Sequence, residues 1–402
     1  MQDLRMNRTI PRVLIVLACT QVIGWGAVGL LAIIGRTVAA DLHMDIAAVF
    51  AGNSILYVVM GLCAPFLAKM FARFGARRVM IAGSALAASG FAALAWSQGP
   101  LSYFAAWVIL GAAGSATLTT PAYIMLNEIA GRNAKSAIGA LMLATGLSSS
   151  IFWPTTAILS QAMGWRAACF VYAAAMLLVC LPLNVFGLPR RTKGEDNSEA
   201  PVAPMANATI TEKSTFILIV AGIALNAFVT FGFSAILVEL LGAEGLPRSS
   251  AIAFGSVLGV IQVSARGIDF LGGRRWDGIT TGLFAGIALP AAMLLLMMGR
   301  GTYGSVAAFI LLYGLGSGAL AVARATIPLA FYDQAAYAKA ASHIALPLNL
   351  ISALSPPTLG ALLAHFGCGA VLGLATLCSL GALVILLLLS RRRSQIGAIA
   401  TT

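Results

Sequence analysis

Two arginines stand inside long apolar stretches of the sequence, where an ionisable side chain is costly and is a candidate functional residue. Arg266 follows Gln262 by four residues, and Arg324 follows the segment "GLGSGALAVA". A guanidinium presents a rigid fork of N–H donors that matches a carboxylate. These positions predict a binding site for an anion. Alternatively, Arg266 pairs with Asp269 three residues later, or either arginine extends its charge to the aqueous phase.

Uncharged polar side chains occupy the middle of other apolar stretches. They include Gln21, Trp25, Asn226 and Asn349. Each could line a cavity and contact substrate, or could join two helices through a hydrogen bond worth about 0.6 kcal/mol in lipid. His343 could relay protons, or its ring could be held by a structural hydrogen bond.

Short basic loops recur at two matching places, "FARFGARR" (71–78) and "FLGGRRWD" (270–277), about half the chain apart. The glycine in the first loop permits a tight turn between helices. The arginines keep the loops in water, and act either as topology anchors alone or also as gating contacts. The candidate gating residues are Arg73, Gly75, Arg77, Arg78, Asp269, Arg274 and Arg275.

The elements that position these residues must lie in lipid. The 402 residues are 60% hydrophobic and 9% charged, whereas soluble domains carry about 25% charged residues. The net charge of +12 then indicates topology and not nucleic-acid binding. The six cysteines form no C-x-x-C pair, and we find no Walker motif or catalytic triad. We therefore expect no enzyme, no catalytic residue, no metal site and no cofactor.

A membrane helix needs roughly 20 mostly apolar residues, and twelve stretches of the sequence are candidates. They cover approximately 13–35, 48–68, 78–97, 101–125, 137–160, 167–187, 215–240, 249–270, 278–298, 303–325, 340–364 and 369–390. The predicted domains are an N-terminal six-helix bundle (1–187), a polar cytoplasmic linker (188–213) and a C-terminal six-helix bundle (214–402).

The distribution of basic residues predicts the orientation. With alternating spans, 20 of the 25 Lys and Arg residues fall on the side of the N-terminus, and Arg324 near a helix end is not counted. The other side holds Arg36, Arg166, Arg248 and Arg300. Both termini are therefore expected in the cytoplasm, in a multi-pass protein of the cell inner (plasma) membrane.

Two six-span halves with a basic loop in each resemble the major facilitator superfamily, whose signature between spans two and three reads roughly G-x-x-x-D-R-x-G-R-R. The matching residues are Arg73, Gly75, Arg77 and Arg78, and the differing ones are Ala68 and Ala72. The resemblance implies an all-α integral membrane protein with twelve transmembrane helices in two pseudo-symmetric halves. The missing aspartate implies that the family's cytoplasmic latch is absent here, or lies in the second half beside Asp269 and Asp277.

A narrower resemblance, to the monocarboxylate transporter and oxalate–formate exchanger branch, rests on "GWRAACFVY" (164–172) and "QVSARGIDF" (262–270). In that branch an arginine late in span eight binds the substrate carboxylate, and an acidic residue commonly precedes it by one turn. Arg266 matches the arginine, whereas Gln262 occupies the acidic position and is neutral. The resemblance implies an organic anion substrate, and the missing carboxylate at Gln262 weakens the case for that branch's proton coupling.

The expected function is secondary active or facilitative transport of a small organic anion such as a monocarboxylate. The alternatives are an efflux permease or antiporter for a drug-like or metalloid compound, and a receptor or scaffold without transport. The expected partners are a small-molecule substrate and the lipid bilayer, with the protein a monomer. Because no Asp or Glu falls in the middle of a predicted span, exchange or facilitated flux is favoured over proton symport.

Overall fold

The computed structural model describes residues 2–189, 210–273, 276–299, 301–332 and 334–399, and this part of the chain is helical with no strand. A helix satisfies its own N–H and C=O groups, which is the condition for a single segment to cross hydrocarbon. The apolar stretches of the sequence therefore form helices, and polar residues gather at their ends.

The bounds of the helices differ from those of the predicted spans. The helix labels below therefore do not correspond to the span numbers. The α-helices are α1 (Gln2–Val28), α2 (Leu31–Asp41), α3 (Ile46–Ala95), α4 (Pro100–Thr117), α5 (Thr119–Ala130), α6 (Ala134–Gly146), α7 (Ser148–Ala175), α8 (Ile210–Ala243), α9 (Arg248–Gly272), α10 (Gly278–Gly299), α11 (Tyr303–Thr326) and α12 (Gln334–Ile399). Two π-helical segments, Met176–Cys180 and Leu183–Gly187, follow α7, and short 3₁₀ turns cover Gly131–Asn133 and Ile327–Ala330.

Nine helical stretches of the described residues are long and apolar enough to cross a membrane. Three are far longer than one crossing: Ala48–Ala95 has 48 residues, Ala134–Gly187 has 54 and Ala336–Arg393 has 58. A straight helix of the shortest of these would measure about 72 Å, more than twice the roughly 30 Å of a hydrocarbon core. None of the three can therefore cross the membrane as one straight helix.

One glycine interrupts the helical backbone in each of these three stretches. The angles are φ 76° and ψ 156° at Gly75, φ 83° and ψ 162° at Gly164, and φ 75° and ψ −177° at Gly367. This region of backbone space is open essentially only to glycine. Gly75 lies in the first basic loop, where the sequence predicts a turn. Twelve crossings stay a prediction, and two crossings in each of the three stretches would satisfy it.

The chain forms two compact units. The first unit comprises Met1–Asn207 and Gln334–Ala353, and the second comprises Ala208–Asp333 and Leu354–Thr402. The predicted domain boundaries stay a prediction, and most of the linker 188–213 lies outside the described residues.

Aromatic side chains and close helix contacts fill the core of the first unit. Tyr103 and Trp107 of α4 are fully buried, and the Tyr103 hydroxyl donates a hydrogen bond of 2.6 Å to the carbonyl oxygen of Val49. A Cβ at Gly111 would lie 2.7 Å from Cβ of Val59. Helices α3 and α4 are therefore packed more closely than larger residues would allow, as small residues permit in lipid.

The second unit has a comparable aromatic core between α8 and α11. The rings of Phe309 and Tyr313 are stacked, with centroids 5.4 Å apart, and Phe233 packs against both. The Tyr313 hydroxyl donates a hydrogen bond of 3.2 Å to the carbonyl oxygen of Thr230. This contact satisfies the polar end of a fully buried tyrosine and fixes α11 against α8.

We predict that Gly367→Ala destabilises the protein by about 1–3 kcal/mol, the usual cost of a non-glycine residue in such a backbone conformation. Gly373→Ala is the matched control, because Gly373 lies in the same helix and a Cβ would have open space at both positions. The control should be neutral or more stable, since alanine favours a helix interior. Thermal unfolding in detergent measures both, and equal effects of the two substitutions would contradict the prediction.

Candidate functional site

In the first unit, two predicted site residues of α1 contact the break between α4 and α5. Leu118, with φ −82° and ψ −143°, separates α4 from α5. The Gln21 side-chain amide donates a 2.6 Å hydrogen bond to the carbonyl oxygen of Thr117. The Trp25 indole N–H donates a 3.2 Å bond to the Thr119 hydroxyl. Polar groups at a helix break in lipid need internal partners, and these two side chains, one turn apart on α1, provide them.

Asn349 lines a small cavity, also in the first unit. The cavity has a volume of about 10 Å³ and is lined by Ser115, Thr120, Ser342 and Asn349 together with apolar residues. This is room for about one water molecule. Ser342 is fully buried, and its hydroxyl has no hydrogen-bond partner among the residues that the structure describes. In this conformation the cavity is too small for an organic substrate.

In the second unit, Gln262 joins α9 to α11. Its side-chain amide donates a 2.9 Å hydrogen bond to the Ser317 hydroxyl. A Cβ at Gly318 would lie 2.4 Å from the Gln262 carbonyl oxygen, so the two backbones are nearly in contact. Arg266 lies one turn further along the same face of α9 and is half-buried.

Arg324 lies against an aromatic ring of α8. Its guanidinium carbon is 5.1 Å from the centroid of the Phe231 ring, within the range of a cation–π interaction. Helices α9 and α11 run parallel, because Gly314 faces Leu258 and Ile261 whereas Gly318 faces Gln262 and Ala265.

The two arginines therefore lie at similar depth in the second unit. Measured along the helices from the Gln262–Ser317 contact, Arg266 is about 6 Å and Arg324 about 10 Å further in the same direction. The positions of the two arginines in the sequence do not reveal this similarity in depth, because the register between α9 and α11 is set by the glycine contacts.

Asn226 is buried within α8. Its side-chain carbonyl oxygen has no hydrogen-bond partner in the described part of the chain. A buried polar group left without a partner costs about 1–3 kcal/mol, so a polar ligand atom at this position would be favoured. An amide can supply either a donor or an acceptor to such a ligand.

The first basic loop makes contacts inside its own unit. Arg77 donates a hydrogen bond to the carbonyl oxygen of Val185 in the second π-helical segment. Arg73 is exposed, with its guanidinium 5.2 Å from the ring of Phe74, and Arg78 is exposed. Arg77 therefore has a structural role at the end of span six, and a gating role for the loop stays a prediction.

Asp269 precedes the second basic loop and Asp277 ends it, whereas the first basic loop contains no carboxylate. Buried Asp269 accepts a hydrogen bond from the Thr281 hydroxyl. Asp277 accepts a 2.7 Å bond from the backbone N–H of Thr280 and forms an ion pair with Arg393. These contacts hold the ends of α9, α10 and α12 together. The predicted gating residues Arg274 and Arg275 lie outside the described residues.

His343 is exposed, and its Nδ1 lies 2.7 Å from the carbonyl oxygen of Lys339 on the preceding turn. This contact engages one ring nitrogen with the backbone of its own helix. It favours the structural alternative over the proton relay.

Sequence reasoning did not find the cluster around Asp41. Arg166 forms an ion pair with Asp41 and donates a 2.9 Å bond to the carbonyl oxygen of Ser97. The Trp165 indole N–H also donates to Asp41, at 3.2 Å. Two of the residues in "GWRAACFVY" therefore hold helix ends of the first unit together. The position of Trp165 and Arg166 directly after Gly164, at a turn, is the sequence feature from which this contact could have been predicted.

The sequence matches the Major Facilitator Superfamily over residues 14–289, more than half of the chain. The chain belongs to the Major Facilitator Superfamily. It is a multi-pass membrane protein, and membership indicates transmembrane transport rather than enzymatic catalysis. The predicted resemblance to the superfamily and its all-α fold is confirmed.

Two relatives come from the branch named by the narrower resemblance. Monocarboxylate transporter 3 from Rattus norvegicus is 22% identical over 318 residues, covering 77% of this chain and 65% of that protein. Monocarboxylate transporter 11 from Homo sapiens is 27% identical over 154 residues, covering 38% of this chain and 32% of that protein. The matches therefore span less than two thirds of either relative.

Two solved structures share the fold. The human organic anion transporter MFSD10 (TETRAN) has a TM-score of 0.72 at 16% identity, covering 95% of this chain and 99% of that one. The proton:xylose symporter XylE bound to 6-bromo-6-deoxy-D-glucose has a TM-score of 0.73 at 14% identity, covering 94% and 95%. At such identities the likeness establishes the fold alone.

We predict that Gln21→Met lowers the stability of the protein by about 1 kcal/mol, because the carbonyl of Thr117 loses its donor at the helix break. Gln98→Met is the control, since Gln98 is exposed. Thermal unfolding and solute uptake would be measured on the same samples. Unchanged stability together with lost uptake would contradict the structural role and indicate that Gln21 contacts substrate.

Proposed function

We propose that this protein transports a small organic anion by alternating access, with Arg266 and Arg324 as the cationic groups that bind it. The main support for the proposal is that Arg266 and Arg324 lie at similar depth in one unit, on the adjacent parallel helices α9 and α11. A guanidinium in this environment attracts a carboxylate strongly, because water screens the charge less than at the surface.

Neighbouring side chains add polar contacts in the same unit. Ser317 and Gln262 bond to each other, and could exchange that bond for one to substrate. Asn226 provides a buried amide with an unused oxygen in the described part of the chain. Phe231 offers an apolar face beside Arg324, which suits the hydrocarbon part of an organic anion.

The names of the relatives support the anionic class without fixing the substrate. Two matched relatives are called monocarboxylate transporters, and one structure with this fold is called an organic anion transporter. The fold also occurs in a proton:xylose symporter, so the fold does not specify an anionic substrate. The proposed substrate class therefore depends on the two arginines. We further propose a monomer in the inner (plasma) membrane with both termini in the cytoplasm.

Binding of an anion would also assist the conformational change. Moving an unneutralised charge through low-dielectric surroundings is costly. A bound carboxylate would reduce the net charge of the arginine site, so that the loaded protein changes state more readily than the empty one. This favours exchange of one anion for another.

We predict that Arg266→Gln and Arg324→Gln each weaken uptake of labelled carboxylates into proteoliposomes. Loss of a charged hydrogen bond of about 1.5–3 kcal/mol corresponds to about a 10- to 150-fold loss of affinity. Arg36→Gln is the matched control, because Arg36 is exposed and outside the proposed site. Normal uptake by the Arg266 variant would remove that residue's role. If deletion of the gene made cells sensitive to hydrophobic compounds, and the purified protein carried no carboxylate, an efflux permease would be favoured instead.

We predict that uptake proceeds without stoichiometric proton entry, and that His343→Gln leaves the flux unchanged. The reason is that His343 is exposed and engaged with the backbone of its own helix. A pH-sensitive dye inside the liposomes reports proton entry during anion uptake. Proton influx that disappears in His343→Gln would overturn the prediction and identify the carrier. Influx that persists in the variant would also overturn it and direct attention to Asp269.

A further inference from the structure

A groove of about 490 Å³ opens on the first unit between the start of α1 and the two π-helical segments. We call it the π-segment groove. One charged residue, Arg12, lines it together with apolar side chains that include Val16, Leu178, Val179 and Phe186. Its volume is within the range of about 300–1,000 Å³ that is usual for small-molecule sites.

Residues of both π-helical segments line the groove. The segments Met176–Cys180 and Leu183–Gly187 are π-helical, a rare form that is frequent at functional sites. A Cβ at Gly187 would lie 2.5 Å from Cγ2 of Val16, so α1 touches the backbone at this part of the groove. Leu178 and Phe186 are 70% and 77% exposed, and they form an apolar surface that is open to lipid.

Arg12 is fixed at the rim of this apolar surface. Its guanidinium donates a 2.7 Å hydrogen bond to the carbonyl oxygen of Phe186, while Arg77 donates to the adjacent carbonyl of Val185. A guanidinium has five N–H donors, and the bond to Phe186 uses one of them. Arg12 can therefore hold its position and still bind an anionic group.

The position of Arg12 matches the level of lipid headgroups. In the sequence the long apolar run of α1 follows Arg12, and the apolar stretch that contains the π-helical segments ends at Gly187, which places Arg12 and the groove near a membrane boundary. In the sequence, further basic residues come directly before and after these ends. They are Arg5, Arg8, Arg190, Arg191 and Lys193.

We propose that the π-segment groove binds an anionic phospholipid, with the headgroup phosphate on Arg12 and an acyl chain along Leu178, Val179 and Phe186. The positive charge at the rim complements the phosphate, and basic sites near helix ends are suited to anionic headgroups. The apolar length of the groove complements the chain. A soluble anion would use the arginine and leave the apolar surface uncovered. This site is separate from the arginines of the second unit and does not depend on the transported substrate.

Native mass spectrometry of delipidated protein tests the headgroup contact, with phosphatidylglycerol and phosphatidylcholine of identical acyl chains as probes. We expect about a fivefold preference for phosphatidylglycerol, because one basic residue near an anionic surface contributes about 1 kcal/mol. Arg12→Gln should abolish the preference, whereas Arg12→Lys and the exposed-arginine control Arg36→Gln should keep it. An unchanged preference in Arg12→Gln overturns the proposal.

A second pair of variants tests the acyl-chain contact and leaves Arg12 in place. Val179→Trp fills the groove and should weaken phosphatidylglycerol binding severalfold. Val171→Trp is the control, because Val171 lies outside the groove and is 38% exposed, against 43% for Val179. Equal binding by the two variants overturns the proposal. Displacement of the lipid by glycerol phosphate at equal concentration would also overturn it, since the chain would then contribute nothing.

Discussion

The absence of water in hydrocarbon is the constraint on which this structure depends, because every interruption of a helix must then be satisfied by the protein itself. The break at Leu118 is closed by Gln21 and Trp25 from α1. The carbonyl groups of the second π-helical segment accept from Arg12 and Arg77. The Gln21 amide is thus engaged in completing backbone hydrogen bonding at membrane depth, and Arg12 and Arg77 do the same near the membrane boundary.

The carboxylates at helix ends are likewise engaged in contacts within the protein. Three aspartates at helix ends have local partners that hold elements together: Asp41 with Arg166, Asp269 with Thr281 and Asp277 with Arg393. The face of an aromatic ring stabilises a guanidinium through its quadrupole without cancelling the charge. The guanidinium of Arg324 lies over the Phe231 ring, and this contact leaves its positive charge in place.

The two anion-binding regions proposed above differ in their surroundings. The arginines of α9 and α11 belong to closely packed helices, where discrimination depends on the shape and polarity of a small solute. Arg12 belongs to an open apolar groove at the membrane boundary, where the ligand must bring its own hydrocarbon. The proposed transport function concerns the first region, and the proposed phospholipid binds in the second.

The sequence alone indicated the membrane class, the helical structure and the turn at Gly75, because hydropathy over about 20 residues and the unique backbone freedom of glycine are local properties. The major facilitator fold was inferred from the resemblance of the basic loop and the span count to that family. The sequence also identified Gln21, Trp25, Gln262, Arg266 and Arg324 as unusual, since polarity within an apolar run is visible without any contact. Only the tertiary structure decided what these residues touch: Thr117, Thr119, Ser317 and Phe231. Hydrogen-bond partners depend on which helices are neighbours and on their register, and glycine contacts such as that of Gly318 with Gln262 set that register across distances that no local pattern encodes.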